Sequence, residues 1–311
     1  MPELPEVTIT VKGLNEVLPK LTITDVWSDY FLRTKNKRTD TIKNKKYFEH
    51  FKKEVVGEKV TSAERRGKNV LIHLTDNKTI LIHMKMTGHL LYGKYKKISN
   101  FQFPISKEKQ EKWTPVENGL LKDSFNQFVH LIFSLSNRKH LAFSDMRKFA
   151  KVILFETDKR RTFSDLSALG PEPLDDLSFE TFQKQLGKKP TGKIKTVLMD
   201  QTILAGIGNI YSDEILWEVG VHPERKVSAL SEKEMRSMWK DLKIILLKSI
   251  KMGGDSMSDY RNIYGQKGNF QNAHKVYKRT RQKCLKKNCS GIIQRKIVGG
   301  RSAHFCHTHQ K

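Results

Sequence analysis

The sequence predicts an α+β protein: a β-rich N-terminal domain led by one helix, a helical middle and a small metal-bound tail. Three observations carry that reading. Apolar residues recur at three- and four-residue intervals at the start of the chain and again beyond about residue 177. Between those stretches lie short apolar runs of strand length. All three cysteines fall from Cys284 onward.

The elements follow in order. Leu4, Val7, Val11, Leu14 and Leu18 form the stripe of an amphipathic helix, so a helix begins almost at the N-terminus. Pro2 and Glu3 stand at or before its first turn, where proline and acidic residues are favoured. Residues 69–75 and 79–84 read as strands flanking Asp76-Asn77, a hairpin turn. Residues 129–135, 139–145 and 148–155 read as further strands, and the lysine-rich stretch from about 93 to 127 as a long surface excursion. Residues 194–200 and 214–219 are helical in pattern. Ser231 and Glu234 form a capping box, with Leu230 and Met235 placed as a hydrophobic staple. One apolar face then runs through Met238, Trp239, Leu242, Ile245 and Leu246 to Gly253-Gly254, which ends the helix.

The 311 residues suffice for two modest domains and an appendage. With 58 Lys+Arg against 33 Asp+Glu, the formal charge is +25. Such an excess opposes compaction by self-repulsion and is rewarded by a polyanionic partner, nucleic acid first of all. No apolar run is long enough to span a membrane, and the acidic N-terminus is unlike a secretory leader, so a soluble cytoplasmic protein is expected. The clustering of the cysteines points to a metal site rather than a disulfide framework.

In the tail, Cys284 and Cys289 enclose four residues, and Cys306 and His309 enclose two. Two such ligand pairs joined by a hairpin suit tetrahedral Zn²⁺, with His307 and His304 as competing fourth donors. The turn Gly206-Ile207-Gly208-Asn209 between helical stretches offers backbone N–H groups at a helix N-terminus, which suits a phosphate, although a tight helix connection explains it equally well.

Other segments complete a series. The N-terminus MPELPE, ERRGK at 64–68, HMKMTGHL at 83–90, DMRKFA at 145–150, LGPEPL at 169–174, GIGNIYSDEILW at 206–217 and the hairpin ending HFC at 304–306 occur in order. Together they resemble the formamidopyrimidine-DNA glycosylase/endonuclease VIII family over nearly the whole chain, the excursion excepted. That resemblance implies a β-sandwich-type domain with a leading helix over residues 1–160, a helix-two-turn-helix DNA-binding domain with a lesion-capping loop over 161–275, and a C-terminal zinc finger over 276–311.

It also implies the chemistry and the roles. Once Met1 is removed, Pro2 carries a secondary amine, and an α-amino group titrates at about pH 8, so a neutral fraction is available. Pro2 would attack C1′ of the damaged nucleotide and Glu3 would move protons. Lys68 would contact phosphates flanking the lesion, and Glu6 would help hold the lesion pocket. Met86, Arg147 and Phe149 match the residues that fill the stack after base eversion. Lys195, Asn209 and Arg301 match phosphate contacts. The stretch from Gly254 to Gln271 resembles the lesion-capping loop of the oxidised-purine branch. One structural Zn²⁺ held by Cys284, Cys289, Cys306 and His309, a monomeric state, and double-stranded DNA with oxidised bases or abasic sites as partner complete the expectation, with nucleoid association if the source is bacterial. An endonuclease VIII-like enzyme for oxidised pyrimidines, or a catalytically silent damaged-DNA-binding protein, are the alternatives. The sequence departs from the family pattern at Lys85 and Ala150, where glycine is usual, and in the zinc ligands, where four cysteines are usual.

Overall fold

The computed structural model describes residues 1–31, 40–101, 110–175 and 177–311, with side chains at 99–101 and 110 left aside. The elements in chain order are α1 (Leu4–Val17), β1 (Ile23–Ser28), α2 (Lys45–Val55), β2 (Val60–Arg66), β3 (Asn69–Leu74), β4 (Lys78–His83), β5 (His89–Gly93), β6 (Tyr95–Phe101), β7 (Gln110–Pro115), β8 (Val129–Leu135), β9 (His140–Ser144) and β10 (Lys151–Glu156). They continue as α3 (Ser164–Ser167), α4 (Phe179–Gly187), α5 (Ile194–Met199), α6 (Asn209–Val219), α7 (Glu232–Lys251), β11 (Ile293–Val298) and β12 (Arg301–Cys306). The chain divides into two compact units. One comprises residues 1–2, 6–163 and 255–268; the other comprises 3–5, 164–254 and 269–311. The loop 255–268, which the sequence placed with the helical domain, therefore belongs to the β-rich unit.

In that unit two antiparallel four-stranded sheets run in the orders β1-β8-β9-β5 and β10-β4-β3-β2. Ile23, Val26, Phe133 and Leu141 of the first sheet and Val60, Ile72, Ile80 and Val152 of the second share one core, which makes this a sandwich. The expected stripe of α1 joins it through Val7, Val11, Leu14 and Leu18. Asp76 and Asn77 have φ of +51° and +57°, the left-handed pair that lets a two-residue loop join twisted strands. The sequence did not reveal α2. Its buried Phe48, Phe51 and Val55 recur at helical spacing, and the Asn44 side chain caps it by accepting the Tyr47 N–H at 3.1 Å. The excursion is ordered where described. β6 and β7 pair as a hairpin, and two short 3₁₀ turns follow over Leu120–Lys122 and Ser124–Asn126.

The second unit packs α4, α5, α6 and α7 around Phe182, Val197, Leu216, Met238, Leu242 and Leu246, with Leu4 from the first turn of α1 in the same cluster. The Ser231–Glu234 capping box forms as expected. Gly253 and Gly254, at φ of +81° and +80°, follow the last turn of α7. The β11-β12 hairpin and its cysteines pack on Trp217 through Val276 and Ile293.

Candidate active site

In the β-rich unit, two adjacent loops carry the residues expected to fill the stack. Met86 lies between β4 and β5; Arg147 and Phe149 lie between β9 and β10. Phe149 is 48% exposed, and the Arg147 guanidinium stands 4.4 Å from its ring centre. Asp145 fixes both loops. Its carboxylate accepts from the Thr87 hydroxyl at 2.6 Å, the Tyr30 hydroxyl at 2.9 Å and the Ala150 N–H at 2.9 Å, while the Arg147 N–H reaches the Thr87 hydroxyl at 3.2 Å. Asp145 is fully buried, and burial is the main cause that pushes the Tyr30 phenol well above its ordinary range. None of Asp145, Thr87 and Tyr30 was singled out from sequence, because the side-chain bonds that join the three span 58 and 115 residues.

The departures from the family pattern have a structural content. Lys85 adopts φ +55°, a left-handed conformation that costs a residue with a Cβ about 1–2 kcal/mol and costs glycine nothing. Ala150 is buried and has no such strain. Lys68 sits in the β2–β3 turn, buried among neighbours. Close to it, loss of water and then the charges of Lys85 and Lys68 hold the His83 imidazole down at about 3. His83 is therefore neutral and accepts the Lys85 N–H at 3.0 Å on Nδ1. A neutral ring among lysines keeps the local charge positive without adding to its repulsion.

Glu6 is buried, and its carboxylate accepts the Asp255 N–H at 2.8 Å. The Tyr260 hydroxyl donates to the Glu6 carbonyl at 2.9 Å. Glu6 thus anchors the start of the loop that the sequence assigned to lesion capping.

In the helical unit, Glu3 is buried and its Oε1 accepts the Ile210 N–H at 3.0 Å, at the N-terminus of α6. A carboxylate there meets the positive end of the helix dipole. The glycine-rich turn serves this contact: a Cβ on Gly208 would lie 2.4 Å from Cδ of Glu3 and 2.5 Å from its Oε1. The sequence offered this turn to an external phosphate, but the protein's own carboxylate takes the Ile210 amide. Asn209 opens α6, and Arg301 stands exposed at the head of β12.

Lys195 is not where a phosphate contact needs it. Its side chain and that of Asp213 are both 0% exposed, and Nζ lies 2.5 Å from Oδ1 of Asp213 and 3.2 Å from the Ser212 hydroxyl. Asp213 also accepts the His304 N–H at 2.9 Å and faces His304 Nδ1 at 3.0 Å, so the ion pair couples α5 and α6 to β12. Next to it in sequence, the Glu214 carboxylate accepts the N–H groups of Lys275, Val276 and Tyr277 at 2.8–3.0 Å.

The Sγ atoms of Cys284, Cys289 and Cys306 all lie within 4.8 Å of one another, and the Cys289–Cys306 pair is 3.7 Å apart. Thiolates at about 2.3 Å from tetrahedral Zn²⁺ stand about 3.8 Å apart, so the donor set fits that ion. N–H groups of Trp217 and Gly291 point at Cys284 and Cys289 at 3.3 and 3.4 Å, the polar support that metal-bound sulfurs require. His309 is not in the cluster. Its Nε2 lies 2.6 Å from the Trp217 carbonyl oxygen, and among the described residues no histidine joins the three sulfurs. The expected Cys₃His set is met in its three cysteines only.

Residues 1–152 match the Formamidopyrimidine-DNA glycosylase N-terminal domain and residues 169–261 the Formamidopyrimidine-DNA glycosylase H2TH domain. The chain belongs to the formamidopyrimidine-DNA glycosylase family. It is 33% identical to the Formamidopyrimidine-DNA glycosylase of Pelotomaculum thermopropionicum, over 100% of this chain and 99% of that one. With the Bacillus subtilis protein of the same name it shares 33% identity, over 98% of each. The fold superposes on the Lactococcus lactis glycosylase in complex with abasic-site DNA at a TM-score of 0.79, with 29% identity and 99% of each chain covered. A MutM complex with carbocyclic 8-oxo-G DNA gives 0.78 at 30% identity, covering 100% of both chains. Family membership makes this a DNA-repair enzyme with glycosylase and abasic-site lyase activity whose partner is damaged DNA. Among the described residues, no helix is long and apolar enough to cross a membrane.

Proposed function

We propose that this enzyme excises oxidised purines, 8-oxoguanine and formamidopyrimidines, from duplex DNA in base excision repair, with Pro2 as nucleophile. The observation that carries the reading is the seat of Glu3. The carboxylate next in the chain to Pro2 is buried and fixed by the Ile210 N–H, so the acid beside the amine has one position.

Removal of Met1 frees the Pro2 secondary amine. The neutral amine attacks C1′, the C1′–N bond breaks, and the base leaves with a proton. Glu3 gives a proton to the sugar ring oxygen as the ring opens to the iminium. Loss of a C2′ proton then expels the 3′ phosphate, and a second elimination expels the 5′ phosphate. Lys68, Asn209 and Arg301 contact phosphates, and their yield in affinity falls with salt. Met86, Arg147 and Phe149 occupy the space left by the everted nucleotide, held ready by Asp145. Glu6 holds the capping loop. Lys195 acts from inside, by keeping Asp213 and with it β12 in place. Cys284, Cys289 and Cys306 would hold Zn²⁺, which fixes the hairpin that presents Arg301 and takes no part in bond breaking.

The test is borohydride trapping on duplex containing 8-oxoguanine opposite cytosine. Wild-type protein should give a stable crosslink, Pro2→Gly sharply reduced base excision with duplex binding retained, and Glu3→Gln far less base release with binding retained. Crosslinking of Pro2→Gly at another residue, or trapping only on oxidised pyrimidines, would overturn the proposal.

A further inference from the structure

The excursion between β5 and β8 has no part in the chemistry above, yet its last segment, residues 119–126, packs against the loop 255–268 within the β-rich unit. The contact is built around a buried cation. Arg261 is 1% exposed although it is an arginine in a loop. Its Nη2 lies 3.2 and 3.3 Å from the two carboxylate oxygens of Asp123, and its Nη1 donates to the carbonyls of Ser258 and Tyr260 at 3.0 and 2.8 Å. The Phe125 ring covers the guanidinium at 4.9 Å. Asp123 is itself held, since its Oδ1 accepts the Phe125 N–H at 2.9 Å.

A second contact lies beyond the ion pair. Gly265 has φ +81°, and a Cβ there would stand 2.7 Å from the Leu120 carbonyl oxygen, so the loop backbone runs directly against the excursion. Asn126, fully buried, ties that carbonyl back to the sheet: its Nδ2 donates to Leu120 at 2.8 Å and its Oδ1 meets Nε2 of His89, in β5, at 2.8 Å. Glu6 and Tyr260 fix the start of the loop, and Ile263 is buried in the sandwich core. A buried guanidinium without its carboxylate is strongly unfavourable, so these contacts hold the loop in one conformation before any ligand arrives.

We propose that residues 119–126 are a built-in brace for the capping loop, and that Asp123 and Arg261 are positioning residues for base-dependent excision. The inference rests on the loop role given under Proposed function. A loop already ordered does not draw its ordering cost from the energy of lesion binding, so the braced enzyme engages an everted base with less loss. An abasic site presents no base to the loop, and its cleavage does not draw on the brace.

Asp123→Asn keeps the acceptor for Phe125 while weakening the hold on Arg261, and Asp123→Leu with Arg261→Met removes both charges together. In the Asp123→Asn protein, amide exchange over residues 254–268 of the DNA-free protein should quicken and the single-turnover rate on 8-oxoguanine should fall about tenfold, as expected when the competent loop conformation becomes a minor one, whereas the double variant, which leaves no unpaired charge, should lose less. Cleavage at a preformed abasic site should stay within about twofold. Asp123→Glu should restore most of the difference. Unchanged exchange in both variants, or an equal loss on both substrates, would overturn the brace. Wild-type protein that cleaves abasic sites but ignores 8-oxoguanine would fail the purine assignment instead, and the exchange comparison would still decide whether residues 119–126 brace the loop.

Discussion

Replacing Asp213 with alanine tests the assignment of Lys195 to the interior. Both side chains are 0% exposed and 2.5 Å apart, so the alanine leaves an ammonium with no counter-charge and removes the acceptor for the His304 N–H. Breaking a buried pair from one side costs about 3–5 kcal/mol. For a unit of this size each kcal/mol lowers the midpoint by roughly 2–4 °C, so the transition of the helical unit should fall by about 10 °C. Lys195→Met combined with Asp213→Asn keeps an acceptor for His304 and buries no net charge, and it should recover most of that loss. Scanning calorimetry of the two proteins beside wild type makes the comparison, with DNA affinity measured against salt in parallel. A Lys195→Met protein of unchanged stability whose log–log salt slope falls by about 1 would refute the reasoning and return Lys195 to a phosphate contact.

Gly208→Ala must displace the Glu3 carboxylate, since its Cβ would stand 2.4 Å from Cδ; base excision should fall about 100-fold with duplex affinity retained, as a misplacement of this size does elsewhere. Activity near wild type would remove Glu3 from the reaction. Lys85→Gly relieves the φ +55° conformation and should stabilise the protein by about 1 kcal/mol in urea unfolding; no gain would show that the Lys85 side chain offsets the strain. Cys306→Ala should lose zinc by metal analysis, loosen the β11-β12 hairpin and weaken DNA binding while leaving the Ser231 capping box intact, and a wild-type protein purified without metal would contradict the site. The His83 pKa is depressed from 6.5 to about 3 in the folded protein, so its contribution to stability is present above about pH 6.5 and is lost as pH falls toward 3. Unfolding between pH 5 and 6.5 should therefore take up protons, and His83→Gln should take up fewer, by about one at pH 5 and about half of one at pH 6.5.

Local rules were legible in the sequence. The stripe of α1, the Asp76-Asn77 turn and the Ser231–Glu234 box are each written within a few residues, and each forms as read. The cysteine cluster was legible for the same reason, since spacing alone brings sulfurs together on a hairpin. His309 was misread because its partner, the Trp217 carbonyl, is a backbone group 92 positions away that no side-chain pattern announces. Lys195 was misread because a lysine in a chain of +25 gives no sign of burial, and its partner Asp213 lies 18 residues on, across two helices. β6 and β7 were missed because lysines interrupt their alternation. β7 is also tied to β1 by the Trp27 Nε1–H bond to Glu111 at 2.8 Å, a contact no local pattern announces.

The charge balance acquires a second meaning from the buried carboxylates. Glu3 takes the amide of Ile210, Glu6 that of Asp255, Asp145 that of Ala150, Asp213 that of His304, and Glu214 those of residues 275–277. Every one of these five is at most 3% exposed. A carboxylate removed from water is stable only when its oxygens are satisfied, and backbone N–H groups satisfy them without adding a competing side-chain charge. These five acids are turned inward, fixing the segments that carry Asn209, the loop 255–268, Ala150 and the cysteine-bearing tail, while Lys195 and Arg261 are bases buried beside carboxylates of their own. Surface cations tolerate substitution because each phosphate contact contributes separately and is screened by salt. The buried acids do not, because each holds a whole segment in register. Neutralising one of them should therefore disturb the reaction more than removing any single exposed lysine, even though the lysines outnumber them.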